Sequence, residues 1–324
     1  MRILVITPVA PGSLQGNGVT ARRWAGFLRE LGHELEIRSD YSGEPADLLI
    51  ALHARKSAPA VERFRSRFPT RPVVVALTGT DLYHDLPQSP PARRSLELAD
   101  YLVVLQPEAV AALPDAVRSK ARVILQSCTP PPVTPASRYD RFEVCVLGHL
   151  REVKDPFRTA EAARRLPPES RVEVVQVGGA LTPEMASRAR REAAENPRYR
   201  WLGELPREDA LLRLSGARLL CLTSRLEGGA NAVSEALVCG LPVLSSRIDG
   251  SIGLLGPDYP GYLPVGDTAA LADLLRRAET DAAFYAELQA RCRELAPRFH
   301  PAAERARWEA LLRECETALP RPAK

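Results

Sequence analysis

The chain has 324 residues, 45% hydrophobic and 26% charged, a length and balance that admit two globular domains with substantial cores and exclude a disordered or fibrous protein. A formal net charge of +4 spread along the sequence gives no case for a nucleic-acid binder and suits an anionic substrate held in one cleft. No apolar run reaches the roughly 20 residues a membrane-crossing helix needs, the chain opens on a strand without a charged leader, and the six scattered cysteines form no C-x-x-C pair, so a cytoplasmic protein with reduced, core-packed thiols is expected.

The first strand, ILVIT, is followed by Gly16, Asn17 and Gly18, which lead into a helix predicted to begin near Thr20 with Arg22 and Arg23 in its first turn. Glycines ahead of a helix start can leave backbone N–H groups open to an anion, although they also make plain turns. ELEIR and DLLIAL come next, and His53 ends the latter with Arg55 and Lys56 close behind. PVVVAL is followed by the polar turn Thr78, Gly79, Thr80 and Asp81, and the strands YLVVL and RVILQ end in Gln106 and Gln126.

This alternation of apolar strands and helices predicts a parallel, doubly wound sheet, in which ligands lie beyond the carboxyl ends of the strands. The residues after each strand are therefore the candidate site. The proline-rich stretch Cys128 to Asp140 predicts an extended linker, dividing the chain into domains over 1–135 and 141–300, two Rossmann-like α/β domains facing a cleft.

In the second half FEVCVLG runs into GHLREVKDP, where Asp155 is a predicted helix N-cap and Pro156 the first helical residue. Gly148, His149, Arg151 and Lys154 then lie on the loop before a helix. RVEVVQVG ends in Gly178 and Gly179, whose bare backbone lets a nucleotide approach. Leu202 and Gly203 can frame a flat base, while Trp201 is expected in the core. RLLCLTS leads through Glu227, Gly228, Gly229, Ala230 and Asn231 into a helix carrying Glu235, predicted about two turns in and stopped by Gly240 and Pro242, after which comes PVLSS.

Two carboxylates eight residues apart across a loop-to-helix junction flank an anion site with acceptors for hydroxyls, which matches a nucleoside diphosphate sugar. No D-x-D pair is present to hold a metal, so Lys154 and Arg151 are the candidates for neutralising a departing diphosphate. The last helix, over 302–318, carries Trp308, Leu311, Leu312 and Cys315 at helical spacing and is expected to pack back on the first domain.

The glycine loop with GHELEI, GHLREVKDP, WLGEL, the E-x7-E element EGGANAVSE, LPVLSS and GYLPVGDTAALADLL resemble, in this order, the GT-B glycosyltransferases of family 4 across nearly the whole chain. The resemblance implies a UDP-sugar-dependent transferase that needs no metal or other cofactor, in which Glu227 contacts the donor sugar, Glu235 the ribose and Lys154 the diphosphate. Three departures mark the acceptor side: His149 stands where an Arg is common, Thr80 where a His is frequent, and Gln126–Ser127 where Asn-Gly is usual.

GSLQGNGVTARRW, ALHARKSAPA, ALTGTDLYHDLP and GHLREVKDP are similar to a narrower group, the selenosugar synthases of selenoneine biosynthesis. That resemblance implies transfer of N-acetylglucosamine from its UDP form to selenophosphate, with a new carbon–selenium bond. Acceptor binding then falls to Gly16, Asn17, Gly18, Thr20, Arg22, Arg23, His53, Lys56, Thr78, Gly79, Thr80 and Asp81, and His53 joins Lys154, Arg151 and Glu227 as catalytic. Retention or inversion at the anomeric carbon stays open, as do two alternatives: transfer to an alcohol, and a sugar-nucleotide-binding regulator without turnover.

Overall fold

The computed structural model describes residues 1–10, 13, 16–132 and 140–319. Pro11, Gly12, Leu14 and Gln15, in the stretch before the first helix, and 133–139 of the expected linker lie outside them. The chain forms two compact units, Met1–Gln126 together with Pro301–Lys324, and Ser127–His300.

The first unit contains β1 (Arg2–Ile6), α1 (Gly16–Glu30), β2 (Glu34–Arg38), β3 (Leu48–Leu52), α2 (Ala58–Arg67), β4 (Val73–Leu77), α3 (Pro90–Leu98), β5 (Tyr101–Val104) and β6 (Ala121–Val123). Its six-stranded sheet has the order β2-β1-β3-β4-β5-β6, parallel throughout. Every residue of β3 (LLIAL) and β4 (VVVAL) is buried, the unbroken apolar run required when helices cover both faces. One face packs Leu49, Val75 and Leu77 against Phe64 and Leu96. The other packs Val5, Ile50 and Val74 against Trp24, Trp308 and Leu312.

The second unit contains β7 (Phe142–Leu147), α4 (Arg158–Ala163), β8 (Val172–Val177), α5 (Pro183–Glu195), β9 (Tyr199–Trp201), α6 (Arg207–Ser215), β10 (Leu219–Leu222), α7 (Asn231–Val238), β11 (Val243–Ser246), α8 (Asp249–Leu255), β12 (Tyr262–Leu263), α9 (Thr268–Thr280) and α10 (Ala282–Leu295). Its sheet is also six-stranded, in the order β12-β11-β10-β7-β8-β9, and parallel. β9 and β12 are not among the strands expected from sequence, because edge strands of three and two residues are too short to leave an apolar run.

The last helix, α11 (Pro301–Ala318), belongs to the first unit. Trp308 is fully buried and meets Trp24 edge-on, with ring centroids 4.7 Å apart; removing an indole of this size from water contributes about 4–6 kcal/mol as an upper bound. Beside it the buried carboxylate of Glu304 accepts a hydrogen bond from Trp24 Nε1 at 2.7 Å and pairs with Arg23 Nε at 2.9 Å. All six cysteines are free thiols, and burial pushes Cys221 and Cys315 up to about 12, which removes the reactive thiolate near neutral pH.

Candidate active site

In the second unit the direction of winding reverses between β7 and β10, which lie side by side. A doubly wound sheet opens a crevice at that point, beyond the strand ends. The loop after β7 carries Gly148, His149, Arg151 and Lys154, and the loop after β10 carries Ser224 and Glu227. The two loops are bonded together: Arg225 N–H donates to Val153 C=O at 2.9 Å, and Thr223 Oγ1 donates to the carbonyls of Lys154 and Asp155 at 3.3 and 2.9 Å.

Across this junction the Lys154 ammonium pairs with Glu227 Oε1, and Ser224 Oγ donates to the same oxygen at 2.6 Å. Ser224 is fully buried and Glu227 is 8% exposed. A carboxylate so far from water needs such partners. With Oε1 taken by two donors, Oε2 is the oxygen with acceptor capacity left for a ligand hydroxyl. The Glu227 backbone rests on Gly250 of α8, where a Cβ would lie 2.3 Å from the Glu227 carbonyl oxygen, so only glycine fits.

Gly148, Gly178, Gly179, Trp201, Leu202 and Gly203 line up along the neighbouring strand ends. A Cβ on Gly178 would come within 2.1 Å of the Gly148 carbonyl oxygen. Gly178 N–H donates to Gly203 C=O at 2.8 Å, and Leu202 N–H to Gln176 C=O at 2.9 Å. Trp201, expected in the core, is only partly buried, because its indole N–H reaches the Gly178 carbonyl at 2.8 Å and so ties two strand ends together. His149 is partly buried and its Nδ1 has no hydrogen-bond partner. Arg151 is exposed.

Two local expectations are corrected. Asp155 is not a helix N-cap: it adopts φ +44° after the short turn Glu152–Lys154, a conformation Asp tolerates, and its carboxylate receives Arg158 Nε at 2.9 Å, so Pro156 stays outside α4. Glu235 lies one turn into α7 rather than two, since that helix begins only at Asn231. Gly228 and Ala230 are buried and Gly229 and Asn231 partly so. The Glu235 carboxylate is 5% exposed and pairs with Nη1 of Arg207 on α6 at 2.8 Å.

In the first unit the winding reverses between β1 and β3, and His53 is the first residue beyond β3. It is 2% exposed and held at φ +74°, a strained conformation for a non-glycine residue. Its Nδ1 lies 3.4 Å from the Lys56 backbone N–H and its Nε2 3.3 Å from Thr80 Oγ1. The carboxylates of Asp81 and Asp85 lie at 4.0 and 3.8 Å. Burial lowers its pKa, and Lys56 and Arg55 lower it further against the opposing pull of Asp81 and Asp85. His53 is therefore a neutral imidazole at neutral pH.

Other acceptor-side expectations also change. Asp81 is fully buried: Oδ1 accepts from the N–H groups of Thr78 and Gly79 at 2.9 and 2.8 Å, and Oδ2 from that of Ala54 at 2.9 Å. It staples the loops after β3 and β4 and has no face for a ligand. Gly16, Asn17 and Gly18 form the first turn of α1 and not a loop; Gly18 is glycine because a Cβ would meet the Ser13 carbonyl oxygen at 2.5 Å. Thr20 is buried and accepts from Gln126 Nε2 at 2.6 Å. Arg23 is held by Glu304. Arg22 and Lys56 are exposed, Thr78 and Thr80 partly exposed, and Gly79 buried.

Sequence reasoning passed over Ser224, Arg207 and Gly250. Ser224 ends the strand run that contains β10, so the strand-end rule singles it out; nothing local in the sequence singles out Arg207 or Gly250. Among the described residues no group of three or more His, Cys, Asp or Glu side chains is placed to hold a metal ion, and no helix is long and apolar enough to cross a membrane.

The fold is shared with solved glycosyltransferases. Sucrose-phosphate synthase from Thermosynechococcus elongatus is 19% identical, with a TM-score of 0.78 over 98% of this chain and 99% of that one. HepE of Anabaena, solved in complex with UDP and glucose, is 18% identical, with a TM-score of 0.76 over 97% of this chain and all (100%) of that one. An α,α-trehalose-phosphate synthase (UDP-forming) from Burkholderia xenovorans, in complex with glucose-6-phosphate, is 14% identical, with a TM-score of 0.67 over 94% of this chain and 79% of that one. The two Rossmann-like domains are thus those of the GT-B class. Residues 134–299 match the family of glycosyl transferases group 1, just over half of the chain and all of the sheet that carries Lys154, Glu227 and Glu235, and the protein belongs to that family.

Proposed function

We propose that the protein transfers a sugar, N-acetylglucosamine, from its UDP form to selenophosphate without a metal ion. The observation that carries the donor half is the Lys154–Glu227–Ser224 cluster at the switch point between β7 and β10. A UDP-sugar presents a diphosphate that the Lys154 ammonium can hold and sugar hydroxyls that Glu227 Oε2 can accept. As the bond from C1 to the diphosphate oxygen breaks, its electron pair stays on UDP, and the new negative charge falls to Lys154 and Arg151. Glu235 receives the ribose hydroxyls.

The acceptor half rests on the similarity of the strand-end segments to selenosugar synthases and on the chemistry of those residues. Selenophosphate is a compact anion whose selenium is already nucleophilic, so it needs cations and hydrogen-bond donors more than a base. Exposed Lys56 and Arg22 carry the charge and Thr80 offers a hydroxyl. The selenium attacks C1 and a C–Se bond replaces the C–O bond to UDP. One observation favours the alternative of an alcohol acceptor: burial keeps His53 neutral and hence able to take a proton.

The test is a competition. Purified protein is given UDP-N-acetylglucosamine with selenophosphate and with simple alcohols, with and without EDTA, and products are read by mass spectrometry. A selenium-bearing sugar, formed equally in chelator, is the expected result. Preferential transfer to an alcohol overturns the acceptor, and rescue of a chelated enzyme by magnesium or manganese overturns the metal-free electrostatics.

A further inference from the structure

The Arg207–Glu235 pair places a partly exposed cation on the carboxylate read as the contact for a neutral sugar ring. Glu235 is 5% exposed, and its Oε1 lies 2.8 Å from Arg207 Nη1, while the Arg207 side chain is 36% exposed. Arg207 opens α6 and Glu235 lies in α7, so the pair joins two helices. A guanidinium presents five N–H donors in a fixed plane, and one carboxylate oxygen does not exhaust them. Any group approaching Glu235 from solvent meets an acceptor and a donor side by side.

We infer that Arg207 is a specificity-determining residue that, together with Glu235, selects a vicinal diol; the inference rests on the reading of Glu235 as the ribose contact. One hydroxyl can donate to the carboxylate while its neighbour accepts from the guanidinium. Two adjacent hydroxyls satisfy both partners without separating the ion pair. A phosphate is repelled by Glu235, and a single hydroxyl leaves one member of the pair short of a partner. The discrimination of a hydrogen-bonding site against an analogue lacking the group is large for this reason, since the buried polar atoms are left unpaired. Arg207 thereby sets the preference for a ribonucleotide over its 2′-deoxy counterpart, while Lys154 and Glu227 act on the diphosphate and the sugar.

Isothermal calorimetry on the full chain tests this with UDP, 2′-deoxy-UDP and CDP as probes. The wild type should bind UDP at least about tenfold more tightly than 2′-deoxy-UDP. In Arg207→Gln that ratio should fall to within about threefold, and Arg207→Lys, which keeps the charge and loses the fork, should give an intermediate ratio; the lysine variant also carries the test if the glutamine variant does not fold. Glu235→Gln separates the two levels of the argument. If it leaves UDP affinity unchanged, the ribose reading of Glu235 is wrong. If it weakens UDP while both Arg207 variants keep the wild-type ratio, Arg207 is structural only and the present inference falls. Loss of the preference for UDP over CDP, with the ratio to 2′-deoxy-UDP intact, would put the base beside Arg207 and overturn the assignment as well.

Discussion

At the scale of single residues, the site is governed by how few groups are charged and by which oxygen each donor holds. Lys154 neutralises a carboxylate that is 8% exposed, so Lys154→Ala strands Glu227 and removes the cation proposed for the diphosphate. Turnover should fall about a hundredfold. Ser224→Ala leaves the ion pair in place but frees Glu227 Oε1 from its second donor, and should cost about tenfold in kcat with UDP affinity little changed. A Ser224→Ala enzyme as active as wild type would mean that Lys154 alone fixes Glu227. His53 gives a pH prediction. Its folded pKa is lowered from the ordinary 6.5 by burial, so the unfolded chain takes up the proton first. The stability present above that ordinary value is lost as pH falls toward the folded pKa. Thermal midpoints of wild type and His53→Asn, measured between about pH 8 and about pH 5, should show wild type losing more; His33, whose pKa is also lowered by burial, is common to both proteins and cancels. Parallel curves would refute a lowered pKa for the buried His53.

At the scale of elements, the loops work because glycine lets backbones touch. Gly250→Ala puts a Cβ 2.3 Å from the Glu227 carbonyl oxygen and should cost about 1–3 kcal/mol of stability, as overpacking does. It should also weaken UDP binding, because the loop must shift to relieve the clash. Unchanged UDP affinity by calorimetry would mean that α8 moves instead. These features show what sequence makes legible. The apolar strands β3, β4, β7, β8 and β10 are read directly from the sequence, and with them the strand-end positions of His53, Lys154 and Glu227. β9 and β12 escape because two or three residues at a sheet edge carry no period. Asp155 was misread because Asp-Pro suits a helix start as well as it suits a left-handed turn. Asp81 was misread because a carboxylate in a polar turn gives no sign, in sequence, that three backbone N–H groups from two loops will converge on it. Arg207 could not be found at all, since its partner is contributed by another helix.

At the scale of the whole molecule, the division into units is not a division of the chain into halves. The first unit is closed by α11, whose Trp308 and buried Glu304 engage Trp24 and Arg23 of α1. A chain cut after His300 should therefore keep a folded second unit and lose the first, with an opened core and a carboxylate partner missing. Limited proteolysis should cut 1–126 readily in that truncated protein and leave 127–300 protected; a protected 1–126 would show that α11 is dispensable. The same closure has a consequence for synthesis on the ribosome. Domains generally complete in the order they emerge, yet here the helix that closes the first unit is made only after the whole of the second. The nascent first unit must wait with the apolar face around Trp24 uncovered while the second unit is made and folds, which makes it the segment that holdase chaperones should occupy longest.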